Sequence, residues 1–491
     1  MTRNAGSSAS RLTELVDGLL VRDSNVHAEA LAELADRGDE RVIPHLVDLA
    51  MIHAIASDWE RFGFPEVLRG HGPPRYLELP EARWPGIEDA LRALAEPNFD
   101  SDYAWVEWES WFSQQDVEPL AGFEEWKLRL YHSYLPPVGG LLDTEPRAFD
   151  LRDVRWGNCD RSFLAALNAP TFRPGDAVAT TGDGGAANES SESRTDEADA
   201  PRRYLDDGDH VFGFELNGVA YAVPRQVIFP HELLNATLDG VPVSLTFCTL
   251  CNAPILYDRR VGERTLTFGS TGMLIGGNKV MFDEETESLW SQHRGVPIAG
   301  EYLAVDEDVH LGVLPVTQTT WAAWRREYPD TLALDWNTGY DYDYRFYDGD
   351  LGIFRYYWEN ESVVQPGVRA ADESLPEKTE VYGVTADDPE EIHIYPVETV
   401  REERLFVDEL DGRDVVVLWD PTGDVAVYEA PALPVERDGD ELVDVEGDRW
   451  TLTHDALERG ERIRDRIPGR HGLWFAFRTQ YERPVVVDGE N

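Results

Sequence analysis

The chain has 491 residues, with 94 acidic against 44 basic side chains and a net charge of −50. Of the basic residues three are lysines (Lys127, Lys279 and Lys378) and the rest arginine, while 15 Trp and 42% hydrophobic residues rule out a disordered chain. Such an acidic, lysine-poor surface is that of a folded, halophilic protein of a salt-rich cytoplasm, where repulsion is screened, and it excludes nucleic acid as a partner because phosphates are repelled.

Met1 to Asp23 lacks an apolar run of signal-peptide length, and no stretch has the roughly 18 apolar residues of a membrane helix, so no membrane insertion is expected. Three cysteines do not make a disulfide framework, and a reduced, cytoplasmic setting follows. Residues 11–56 read as helical. Asn25 can cap a helix over Val26–Arg37, Gly38-Asp39 turns the chain, and Val42 to Ala50 continues as a second helix. The pair resembles one HEAT-type repeat; without a second copy it reads as a short docking bundle. Residues 84–135 are helical and rich in aromatics, among them Trp105, Trp108, Trp111, Trp126, Tyr131 and Tyr134, a stripe expected in a core.

Near Gly139 the texture changes to short strands and turns. The domains predicted are therefore a helical region over 1–135 and a β-rich domain over 136–486, interrupted by an acidic Ser/Gly-rich loop at 174–203 that is expected to be disordered. Strand-like runs separated by Asn217-Gly218, Asp239-Gly240, Asp348-Gly349 and Asp411-Gly412 dominate from Val211 onward, with helical patches near Thr319–Glu327 and His454–Arg464. The fold class is α+β, a β-rich C-terminal core with a helical N-terminal region.

Cys248 and Cys251 stand in Thr246-Phe-Cys-Thr-Leu-Cys-Asn-Ala-Pro-Ile-Leu-Tyr257. Val241 to Phe247 and Ala253 to Tyr257 read as strands, so this CxxC lies in a strand-turn-strand setting and not at the helix N-terminus of a thioredoxin-type pair. Three chemistries are open. Cys248 and Cys251 with His231, helped by Glu232, His293 or Met281, could ligate a copper or zinc ion, since thiolate, imidazole and thioether suit Cu(I) or Zn(II). The two thiols could instead form a dithiol–disulfide couple. Or both could be structural, packing a β-turn beside a core histidine. His293 reads best as a surface residue. Lys279 and Asp283 are the candidate catalytic residues, expected to line one pocket with His231. A lysine kept against so strong an arginine bias points to a compact ammonium in a buried, paired position.

From Tyr221 to Asp258, the pieces Ala222-Val-Pro, Pro230-His-Glu232, Gly240-Val-Pro and Cys248-Thr-Leu-Cys-Asn resemble the family of domain of unknown function 3179. Phe268-Gly-Ser-Thr-Gly272, Asn278-Lys-Val-Met-Phe-Asp283, Thr286-Glu-Ser-Leu-Trp290, Leu375-Pro-Glu-Lys378 and Trp474-Phe-Ala476 continue the pattern in order. The resemblance spans roughly residues 120–486 and brings no settled activity. Departures fall at Trp156 to Leu167, at Thr271 and at Asn252. An oxidoreductase with a metal or thiol site is the leading expectation for function, and a non-catalytic binding or scaffold module is the alternative; the partner is a small molecule or a protein.

Overall fold

The computed structural model describes residues 2–57, 83–180 and 203–489, less 102, 158, 160, 162–164, 306–307, 341, 343, 348–351, 362–367, 369–373 and 440. Its fold is α+β: the longer helices precede Asp143 and sheets dominate afterwards. No described helix is long and apolar enough to cross a membrane.

Helix Ser24–Arg37 is capped two residues earlier than expected. Asp23, not Asn25, accepts from the Asn25 and Val26 amides, because an extended residue just outside the helix can turn its carboxylate onto the first free N–H groups. Gly38, at φ 64°, closes the other end in the left-handed region. Helix Ile43–Ser57 is buried on every face from Ile43 to Ile55, so it is a central rod and not an amphipathic surface element. Around it pack helices Trp84–Leu94, Ala104–Ser113 and Phe123–Tyr134. Trp105, Trp108, Trp126, Tyr131 and Tyr134 fill the space between them, each removing roughly 150–250 Å² from water.

Strand Val154–Trp156 joins this helical layer to the sheets by pairing with Phe268–Ile275. That strand forms a hairpin with Asn278–Asp283, and Leu289–Ser291 and Pro297–Ala299 complete a five-stranded sheet. A second sheet centres on the hairpin Val241–Cys248/Ala253–Asp258, flanked by Leu233–Leu238 and Gly312–Leu314, with Leu167–Asn168 at its edge. A third carries His210–Leu216 and Val219–Pro224. Asn217-Gly218, Asp239-Gly240 and Asp411-Gly412 all turn with both residues at positive φ, as two-residue hairpin turns require. Asp348-Gly349 lies outside the described residues, as do residues 181–202 of the acidic segment. The opening of that segment is ordered: Gly175–Val178 forms a helical turn, and Gly175 sits where an added Cβ would meet Trp321 at 2.7 Å.

Toward the C-terminus a four-stranded sheet (Arg470–Leu473, Glu380–Thr385, Glu391–Pro396, Arg483–Val486) leads through helix Trp474–Gln480. The helix expected over Thr319–Glu327 is present as Trp321–Glu327, capped by Thr320. The one expected over His454–Arg464 is not. Ala456–Arg459 and Arg462–Asp465 are strands that close a five-stranded meander, turned at Gly460 (φ 63°). Ala456 and Leu457 are buried and Glu458 is exposed, so the first half of that strand packs into the core.

Candidate functional site

Cys248 ends one strand and Cys251 sits three residues on, at the far corner of the turn before Ala253. Both cysteines are unbridged and buried, at 1% and 0% exposure, with the Sγ atoms 2.8 Å apart. Asn252 at φ 48° completes the turn.

The corner is enclosed by parts of the chain far apart in sequence. The second hairpin brings its tip, Gly276-Gly277, onto the sulfurs: the Cys251 thiol donates to the Gly277 carbonyl at 3.3 Å, and Asn278 Nδ2 approaches the same sulfur at 3.5 Å. Asn278 also donates to Gln292 Oε1 at 3.0 Å, and Gln292 in turn donates to Thr246 Oγ1 and the Ala253 carbonyl. The Leu473 amide donates to the Cys251 carbonyl at 2.8 Å, so the C-terminal strand and helix form the roof.

Charge reaches the sulfurs through Lys279. Its ammonium forms an ion pair with Glu232 and donates to the Phe247 carbonyl at 2.8 Å, and the lysine is 4% exposed. The expected buried, paired Lys279 is therefore found. Glu232, a non-glycine residue at φ 61°, also accepts from Ser270 Oγ at 3.0 Å. The two thiols are driven apart in acidity. Burial raises both, but at Cys248 it is outweighed by the hydrogen bond with the Cys251 sulfur, by the Lys279 charge and by amide hydrogen bonds from Lys279 and Cys251, leaving it below the ordinary thiol range. Cys251 is pushed well above that range, first by burial and then by its neighbour's developing charge. When the pair gives up its first proton, these contacts favour the charge on Cys248 and the remaining proton on Cys251.

Cys159 joins this group, which sequence reasoning missed. Its buried thiol is pushed up by desolvation and by Glu232, and it is hydrogen-bonded by Ser270. All three cysteines of the chain thus gather around the Lys279–Glu232–Ser270 cluster.

Other expected site residues lie elsewhere. His231 is buried, but its Nδ1 faces the Ala165 carbonyl at 2.8 Å and its Nε2 the Tyr344 hydroxyl at 2.7 Å. Its ring sits among Tyr340, Tyr342 and Tyr344, and burial lowers its pKa to about 4. Both ring nitrogens are committed, so His231 is not assembled with the thiols. Met281 packs in a separate cluster with Ile255, Tyr257 and Trp290. No group of three His, Cys, Asp or Glu side chains among the described residues could hold a metal ion, and two thiols alone do not supply the four ligands of a zinc site.

Asp283 is not in the pocket of Lys279. Four residues along an extended strand separate them by about 13 Å. Its carboxylate accepts from the Thr286 amide at 2.6 Å, from Thr286 Oγ1 and from Trp290 Nε1 at 3.0 Å, holding the turn after the strand. His293, expected at the surface, is buried edge-on against Phe477 and Tyr481, with its amide on Asn278 Oδ1. The C-terminal helix that covers it is remote in sequence, so local polarity gave no sign of that cover. The other retained lysines are also held by carbonyls: Lys127 by Val154 at 2.6 Å, and Lys378 by Tyr357 and Asn360.

A family model described as a protein of unknown function (DUF3179) matches residues 190–483, and the chain belongs to that family. No curated protein and no solved structure matches it.

Proposed function

We propose that this member of the DUF3179 family uses the Cys248–Cys251 corner as a reversible dithiol–disulfide couple that exchanges with a small disulfide. The 2.8 Å approach of the sulfurs carries the reading. The Cys248 thiolate attacks one sulfur of the incoming disulfide, that S–S bond breaks, and one thiolate leaves from a mixed disulfide. Cys251 loses its proton and attacks the Cys248 sulfur, and the second thiolate leaves. A dithiol and a disulfide thereby become a disulfide and two thiols, with electrons and protons balanced. Lys279 holds negative charge on Cys248, and Glu232 positions Lys279. Access is narrow: Leu250 at the tip is partly exposed while both sulfurs are covered, which favours a small partner over a protein.

The test equilibrates full-length protein in molar KCl with graded ratios of reduced and oxidised dithiothreitol, followed by acid quench, unfolding and alkylation. Mass spectrometry should show Cys248 and Cys251 lost together as one disulfide, with Cys159 still alkylated. The same burial supports the alternative of a scaffold module with structural cysteines. That reading holds if both thiols remain alkylatable at every ratio.

The setting we infer is a salt-adapted cytoplasm, supported by the charge of −50 and the three lysines. Residues 1–135 and 136–486 would be two units, the first holding a single HEAT-like hairpin at Ser24–Ser57.

A further inference from the structure

A second site lies outside the family match, in the helical layer. Four charged side chains, all at most 7% exposed, meet there: Asp48 from helix Ile43–Ser57, Glu109 from Ala104–Ser113, Lys127 from Phe123–Tyr134 and Arg155 from strand Val154–Trp156. Lys127 is bound to Asp48 at 3.1 Å. Arg155 donates from Nη1 to the Arg152 and Val154 carbonyls at 2.6 and 2.9 Å, but its pairing with carboxylates is loose, its Nε 3.4 Å from Glu109 Oε2 and its Nη1 3.7 Å from Asp48. Neither Arg155 Nε nor Glu109 Oε2 has a hydrogen-bond partner among the described residues, although both are buried. Four charges buried with such loose ion pairing are weak evidence of a stabilising role.

Arg155 forms part of the wall of a cleft of about 360 Å³ between the end of helix Ala104–Ser113, the segment that follows it and the turn before Val154. At about 30 Å³ per water the cleft holds roughly a dozen waters, enough for a small metabolite. Arg155 is buried, with its guanidinium 5.8 Å from the Phe112 ring centre, while the outer wall carries Asp116, Glu118 and Asp153 against a single Arg152, whose Nη1 is 3.7 Å from Glu118, so the rim is acidic on balance. The carbonyl end of helix Ala104–Ser113 adds partial negative charge on the Asp116 side. Beneath it, burial pushes the Glu109 carboxyl up to about 7 and the Lys127 ammonium down to about 8.

We propose that this cleft binds a small zwitterion of the amino-acid or betaine class, its carboxylate on Arg155 and its ammonium toward Asp116 and Glu118. A simple anion would meet the acidic rim, and a simple cation would meet the arginine; a molecule carrying both charges satisfies each end.

Calorimetric titration of the full chain in molar KCl with glycine, L-proline and glycine betaine tests it, with acetate and tetramethylammonium as single-charge controls. Saturable binding of at least one zwitterion is expected, with both controls at least tenfold weaker. The preferred member distinguishes a primary or secondary amine from a quaternary one. Arg155→Gln should abolish binding. Because that residue is buried, the exposed double variant Asp116→Asn/Glu118→Gln provides the independent arm and should weaken binding about tenfold with its thermal unfolding unchanged. Absence of saturable heat with all three zwitterions, equal affinity for a single-charge control, or an unaltered rim variant would overturn the proposal.

Discussion

Replacing Lys279 by methionine tests whether its ammonium is what keeps the thiol corner charged. The Glu232 carboxylate, 7% exposed, would lose its counter-ion, and the Phe247 carbonyl its 2.8 Å donor. Removing one partner of a buried pair costs about 3–5 kcal/mol. An orphaned carbonyl costs roughly 1–3 kcal/mol more. Ser270 still donates to Glu232 at 3.0 Å, and the methionine fills most of the lysine stem's volume, which offsets part of this. We expect a net loss of about 4 kcal/mol in urea unfolding followed by tryptophan fluorescence in molar KCl. Lys279→Met/Glu232→Gln, which removes both charges together, should recover at least half of it. In the same protein the Cys248 thiolate titration, read by ultraviolet absorbance, should move up toward the ordinary thiol value of 9.0. A single-variant loss below about 1 kcal/mol, a double variant no better than the single, or an unmoved thiolate curve would each refute the assigned role.

Asp283→Ala should destabilise by roughly 3 kcal/mol, because it orphans the Trp290 Nε1 and Thr286 amide donors, while leaving the rate of thiol alkylation unchanged. Thermal midpoints should climb with KCl from low to molar concentration, given the charge of −50; a flat or falling curve would contradict salt adaptation. His393 donates to Asp408 at 2.7 Å, which raises the histidine pKa above 6.5 and lowers the aspartate below 3.8. The stability this pair contributes is present between those values, lost as pH rises through the raised histidine pKa and lost again as it falls through the lowered carboxyl. The gap in unfolding midpoint between wild type and Asp408→Asn should therefore be widest near pH 5 and close toward either side.

What could be read from the sequence was local. The strands on either side of the CxxC are marked by β-branched residues and Pro254, and the turn dipeptides Asn217-Gly218 and Asp239-Gly240 by the φ values only such residues accept readily. Lysine retention pointed at Lys279 because composition had made it rare. Partners brought together by distant chain could not be read. The roof over Cys251 comes from Leu473, Cys159 arrives from an irregular stretch, and His231 is claimed by Tyr344. The Asp48–Glu109–Lys127–Arg155 cluster left two traces, the retained Lys127 and an aspartate inside the otherwise apolar run Leu46-Val-Asp-Leu-Ala50. A charge there needs a buried partner.

The roof formed by Leu473 has a consequence for synthesis. Both hairpins are closed by short turns and can form as soon as Asp283 leaves the ribosome. Their cover is encoded on the order of 200 residues later, and at roughly 5–20 residues per second translation leaves the two sulfurs uncovered for tens of seconds. Each molecule is therefore exposed to the thiol chemistry of its surroundings before it closes. A chain truncated after Gly469 should preserve that nascent state, with Cys248 and Cys251 alkylated far faster than in the complete protein.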